Sequence, residues 1–139
     1  MKVKRLDHVN IRSTCVPETL AFYTNVLGMT GRLAPGGTDI NKNAWIYDDG
    51  DQPVIHLGGF GGRYPGDGIM TTGQTPSAGS GAIHHVALEC SGYDEMLDRL
   101  KSHNLTLAFN DVPQVGLRQI FVQDPNEIVF ELNFREAAT

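Results

Sequence analysis

The chain has 139 residues, 40% of them hydrophobic, with a formal net charge of -5 and a pI near 5.4. That is enough to bury a core in one soluble domain, and its acidic and basic residues are interspersed, with no basic stripe to follow a phosphate backbone. Nucleic acid is therefore not an expected partner, and the two cysteines, Cys15 and Cys90, are too few and too far apart in sequence for a disulfide framework or a thiolate metal site.

The opening stretch MKVKRLDHVNIRS (Met1 to Ser13) enters a strand-like pattern at once and holds no apolar run of signal-peptide or membrane-span length. A cytoplasmic protein with no membrane partner is the expectation. Along LDHVNI (Leu6 to Ile11) and the following Arg12, Val9 and Ile11 point to one side and His8, Asn10 and Arg12 to the other. PETLAFYTNVL (Pro17 to Leu27) reads as a helix with Leu20, Tyr23 and Leu27 along one side, followed by a weaker strand over Gly28 to Leu33. IYDDGDQPVIHL (Ile46 to Leu57) reads as two strands around an Asp-Gly turn, with Ile55 and Leu57 facing away from His56. Trp45 and Tyr47 alternate on the strand before His56, where they either line a cavity or pack in the core. A Gly-rich segment, Gly58 to Ala82, carries Arg63 and Tyr64.

IHHVALE (Ile83 to Glu89) opens the second half as a strand, and alternation there places the neighbouring His84 and His85 on opposite faces, so that they cannot share one site. His84 falls on the side of Val86 and Leu88, as a packed or rim residue. DEMLDRLKSHN is helical, with Leu97 and Leu100 on one side and His103 near its end, where a partly cationic ring suits the helix dipole. A less distinct strand over Leu105 to Asn110 precedes FVQDPNEIVFEL (Phe121 to Leu132), two strands around an Asp-Pro-Asn turn with Glu131 opposite Phe130 and Leu132.

The halves repeat. LDHVNI lies over IHHVAL with His8 matching His85, an offset of 77 residues, and His56 matches Glu131 at an offset of 75. Each half reads as β-α-β-β-β, giving an α+β chain of two such modules, about 1 to 60 and about 83 to 134, joined by the Gly-rich link at about 58 to 82. In each half the large apolar residues cover the helix, which leaves His8, His56, His85 and Glu131 on the polar inner face of a curved sheet. Three imidazoles and a carboxylate are donors that Zn²⁺, Fe²⁺, Mn²⁺, Ni²⁺ and Co²⁺ all accept.

Nearly the whole chain resembles the vicinal oxygen chelate superfamily, which includes glyoxalase I, methylmalonyl-CoA epimerase, fosfomycin-resistance proteins and extradiol dioxygenases. The resemblance is carried by LDHVNI with FYTNVLGM (Phe22 to Met29), by IHHVALE and by FVQDPNEIVFEL. It implies paired βαβββ modules around one divalent metal, with His8, His85 and Glu131 at ligand positions and His56 where glyoxalase I usually has glutamate. It also implies a homodimer, with the site within one chain or shared between subunits.

The chemistry implied is chelation of two adjacent oxygens of a small-molecule substrate, and a glyoxalase-type lyase or isomerase would transfer a proton next to a carbonyl with Glu131 as catalytic base. Asn10, Arg12, Trp45, Tyr47 and Arg63 are the candidate substrate contacts, Arg12 standing four residues after His8 like the anion-holding arginine of glyoxalase I. The Gly-rich link lacks the asparagine-containing stretch that helps that enzyme bind glutathione, so another substrate is expected. A ring-cleaving Fe²⁺ dioxygenase is the alternative, but Phe121 and Val112-Pro113-Gln114 stand where that group has its tyrosine and acid-base histidine. A binding or resistance module without turnover is the third reading, although its bleomycin-binding members have usually lost the ligands. Glu127 replaces a glycine common in the last turn, which implies a different turn or a mild strain.

Overall fold

A computed structural model describes residues 1–61 and 78–135. The chain divides into two compact units, Met1–Ser77 and Ala78–Thr139, referred to below as modules one and two.

Module one contains β1 (Val9–Ser13), α1 (Val16–Ala21), a π-helical turn (Phe22–Val26), β2 (Thr30–Leu33), β3 (Asn43–Tyr47) and β4 (Pro53–Gly59). Its sheet runs β1-β4-β3-β2, with β1 parallel to β4 and the other pairs antiparallel. Alternation sorts the faces as the sequence predicts. Ile11, Ala44, Ile46, Ile55 and Leu57 are buried with Val16, Tyr23 and Val26 of the helical segment, while Asn10, Arg12, Asn43, Trp45 and His56 occupy the other face.

The helix expected over 17–27 is present, but its second half is wound more loosely. Leu27 N–H reaches back five residues to the Phe22 carbonyl at 3.1 Å, and Thr24 Oγ1 donates to the Leu20 carbonyl at 2.9 Å. A hydroxyl taking a helical carbonyl is a recognised cause of local distortion. The segment closes through Gly28 at φ 73° and a Met29 N–H to Tyr23 carbonyl bond of 2.9 Å, the left-handed cap that glycine allows. It packs closely on β2: a Cβ at Gly31 would lie 2.8 Å from Leu20 Cδ1.

Module two repeats the plan with β5 (Val86–Cys90), α2 (Tyr93–Ser102), β6 (Leu107–Val112), β7 (Leu117–Gln123) and β8 (Val129–Phe134). Its sheet order is β5-β8-β7-β6, with β5 parallel to β8. Ile120, Val122, Phe130, Leu132 and Phe134 are buried with Tyr93 and Leu100 of α2, and His103 caps the helix C-terminus as expected. Strand β6 starts two residues later than the reading Leu105 to Asn110. Both first strands also begin late, so His8, His84 and His85 precede the paired residues.

The last turn keeps the left-handed conformation that a glycine would take, with Glu127 at φ 63°. Buried Asp124 holds it there, its Oδ1 accepting the N–H groups of Asn126 and Ile128 at 2.8 and 3.0 Å. Asp51 in module one sits in the same conformation at φ 59°, in a turn where Asp48 Oδ1 accepts the Gln52 N–H at 2.9 Å.

Candidate functional site

In module two the sheet brings His85 and Glu131 together, with Nε2 of the ring 3.2 Å from Oε2 of the carboxylate. Glu131 is central in register, opposite Ala87 on β5 and Phe121 on β7. Its other oxygen, Oε1, accepts the side-chain amides of Gln119 and Asn133, each at 2.8 Å. Gln119 also donates to Asn133 Oδ1 at 2.9 Å and accepts from Asn110 Nδ2 at 2.6 Å. Gln119 and Asn133 are buried, so these amides need partners, and they find them in each other and in the carboxylate.

His84 and His85, expected on opposite faces of a strand, are in contact. Both lie ahead of the first ladder pair, Val86 with Phe130, so strand alternation does not bind them, and their Nδ1 atoms stand 3.0 Å apart. His84 is exposed at the rim. For His85 to offer the Nε2 lone pair, its ring proton must sit on Nδ1, where His84 accepts it. Module one repeats this device, since His8 Nδ1 donates to Asp7 Oδ2 at 2.6 Å.

His56 is surrounded differently. Asn10 Nδ2 donates to its Nδ1 at 3.0 Å, and its Nε2 donates to Asn43 Oδ1 at 2.7 Å, an arrangement that suits a neutral ring. Trp45 stacks on it at 4.6 Å and 9°, and His8 meets the same indole edge-on at 4.7 Å. Desolvation, and then the charge of His8, push the His56 pKa below that of an ordinary histidine. His56 can therefore become a ligand only by giving up one amide.

The remaining candidates are dispersed. Arg12 lies over the Phe60 ring at 5.3 Å, and Tyr47 stacks under Arg32 at 4.2 Å, whose guanidinium also pairs with Asp51 at 2.6 Å. Arg63 and Tyr64 fall outside the described residues. Among the described residues no three His, Cys, Asp or Glu side chains form a metal-sized cluster. The donor set of module two nevertheless suits a divalent cation, with an imidazole nitrogen and a carboxylate oxygen side by side and the second oxygen already satisfied.

Asp7, Asn43, Gln119 and Asn133 escaped the sequence reading. Extending the repeat finds two of them: Asn43 faces Gly58 as Gln119 faces Asn133, and each third-strand amide reaches the key residue of the neighbouring strand.

The model of the Glyoxalase/Bleomycin resistance protein/Dioxygenase superfamily matches residues 5–132, and the chain belongs to that family. Its fold is similar to that of the integron cassette protein VCH_CASS1 of V. cholerae, with 18% identity, 98% of each chain covered and a TM-score of 0.66. Also similar is a glutamate-to-glutamine mutant of the fosfomycin resistance protein FosX of Listeria monocytogenes, solved with Mn(II) and 1S,2S-dihydroxypropylphosphonic acid. There the identity is 17%, the TM-score 0.68, and the coverage 97% of this chain and 95% of that one. TioX of Micromonospora sp. ML1 matches at 19% identity and TM-score 0.64, over 95% and 97% of the two chains. A comparison with curated protein sequences finds no match. No helix among the described residues is long and apolar enough to cross a membrane.

Proposed function

We propose that the protein is a divalent-metal-dependent enzyme acting on a small molecule with oxygens on neighbouring atoms, most simply by lyase or isomerase chemistry next to a carbonyl. The observation that carries this reading is the His85 and Glu131 pair at 3.2 Å, with the second oxygen of Glu131 held by two amides. His8, placed like His85 by the repeat and likewise held at Nδ1, is the matching donor of module one. The FosX relative was solved with Mn(II) and a compound bearing hydroxyls on neighbouring carbons, which agrees with this substrate class.

When bound, the cation would supply Lewis-acid polarisation of two adjacent substrate oxygens. The protein's own part is to orient and to move a proton. Whether Glu131 meets the cation or takes the substrate's proton, the atom available for the task is Oε2, because Oε1 is occupied. Arg12 is the candidate contact for an anionic group, and Asn10 and Trp45 present polar and flat surfaces beside His56. Phe121 meets the His85 ring edge-on at 6.4 Å but brings no hydroxyl, which favours proton transfer over ring cleavage.

The test is metal analysis of the purified protein and of His85→Ala, then assays of 2-oxo aldehydes, epimerisable acyl compounds, epoxides and catechols with Mn²⁺, Ni²⁺, Zn²⁺ or Fe²⁺. Turnover without O₂ that is lost in His85→Ala is expected. O₂ uptake with a catechol would replace the proposal with the dioxygenase reading, and stoichiometric ligand capture without turnover would replace it with a binding module. The proposal extends to a homodimer, which size-exclusion chromatography with light scattering tests by a mass of two chains.

A further inference from the structure

We propose that Gln119 and Asn133 are positioning residues for Glu131: buried amides that fix one carboxylate oxygen so that the other is presented toward His85 and the cation. This rests on the reading of Glu131 as a metal ligand. The register explains how the sequence builds the clamp. Asn110 on β6, Gln119 on β7 and Asn133 on β8 are direct cross-strand partners in turn, and Glu131 is two residues from Asn133 on the same face of β8.

The hydrogen bonds in this row all run one way. Asn110 donates to Gln119, Gln119 donates to both Asn133 and Glu131, and Asn133 donates to Glu131. Turning the Gln119 amide over would set its carbonyl oxygen against Glu131 Oε1 and Asn133 Oδ1, so the carboxylate and the row define each other's orientation. Module one provides an internal control. There Asn43 takes the place of Gln119 and reaches His56, but Gly58 stands where Asn133 stands. The second amide on the fourth strand is thus found in the module that carries the carboxylate.

Holding a ligand before the cation arrives removes the need to order it on binding, and losing such outer contacts typically weakens metal affinity by about 10- to 100-fold. The full chain is titrated with Mn²⁺ and with Zn²⁺ in competition with a chromogenic chelator, folding being checked by circular dichroism. Gln119→Met keeps the length of the side chain and removes both donors; it is expected to weaken binding by about 10- to 100-fold, and Asn133→Leu by several-fold. In a Glu131→Gln background, Gln119→Met should change affinity by less than about twofold, because a residue acting through Glu131 has nothing left to act on.

Wild-type affinity in folded Gln119→Met and Asn133→Leu overturns the proposal, as does an undiminished effect of either in the Glu131→Gln background. If Gln119→Met does not fold, the same cycle with Asn133→Leu decides. Binding that depends on His85 but not on Gln119 or Asn133 sinks the clamp alone. Failure of the wild type to bind either metal sinks the ligand reading and the clamp together.

Discussion

Module one and module two use the same strand order and, apart from a register shift between Ile46 and Tyr47 in module one, matching strand pairings, yet the fourth strand carries His56 in one and Glu131 in the other. Trp45 lies opposite His56 as Phe121 lies opposite Glu131, and Asn43 and Gln119 reach toward them from equivalent positions. What differs is how much of each polar group is left over. His56 has two ring nitrogens and two amide partners, with an indole over its face, whereas Glu131 has both amides on one oxygen and the other beside an imidazole. The repeated scaffold thus yields one position whose polar atoms face two amides and one whose second oxygen faces an imidazole instead.

The cores should behave alike and the polar faces should not. Leu57 and Leu132 are both fully buried on the helix-facing side of the fourth strand. Leu57→Ala and Leu132→Ala should each cost about 2–5 kcal/mol in urea unfolding, by lost burial and residual cavity. A cost for one well under half that of the other would break the equivalence of the two modules.

On the polar side, His85→Ala and Glu131→Ala should weaken Mn²⁺ binding by more than about 100-fold, beyond the loss of an outer contact. His56→Gln should change it by less than about threefold, since the ring gives its nitrogens to Asn10 and Asn43. A loss at His56 as large as that at His85 would mean that the ring gives up an amide and joins the ligand set.

The His56 pKa offers a finer reading of the same position. Burial favours the neutral ring, so the folded-state pKa lies below the unfolded value near 6.5. The associated stability is present above that pH and is lost as pH falls toward the depressed folded value, where the folded ring must take up a proton against its surroundings. Unfolding free energy of the wild type should therefore drop between about pH 7 and pH 5 more than that of His56→Gln. Parallel curves would show that the Trp45 stack and the amides leave the ring's protonation untouched.

The scaffold was legible because it is written twice. Val9, Ile11, Ile55 and Leu57, with Phe130 and Leu132, set the faces by alternation, and the matching histidines and turns set the register. What the sequence hid has physical causes. The Thr24 hydroxyl that accompanies the widened helix competes locally with the backbone and leaves the apolar spacing unchanged. The meeting of His84 and His85 depends on where β5 begins, and strand ends are where alternation stops applying. Asn43, Gln119 and Asn133 are ordinary amides in sequence and acquire meaning only when cross-strand pairing sets them beside His56 and Glu131. The candidate ligands were legible from the internal repeat; their surroundings required the ladder.

The smallest contrast lies in the two turns that precede the fourth strands. Asp51 and Glu127 both hold positive φ, at 59° and 63°, a conformation that costs an ordinary residue about 1–2 kcal/mol and glycine almost nothing. Glu127→Gly should relieve that strain and stabilise the protein by up to about 1 kcal/mol, the gain being trimmed by the extra freedom of glycine in the unfolded chain. Asp51→Gly should gain less, for two reasons. Aspartate tolerates the left-handed region better than glutamate, and Asp51 pairs with Arg32 at 2.6 Å, an exposed, solvent-screened contact that the substitution removes. Urea midpoints should therefore rank Glu127→Gly above Asp51→Gly, and the reverse order would mean that Asp124, by holding two backbone N–H groups, has already removed the strain at Glu127.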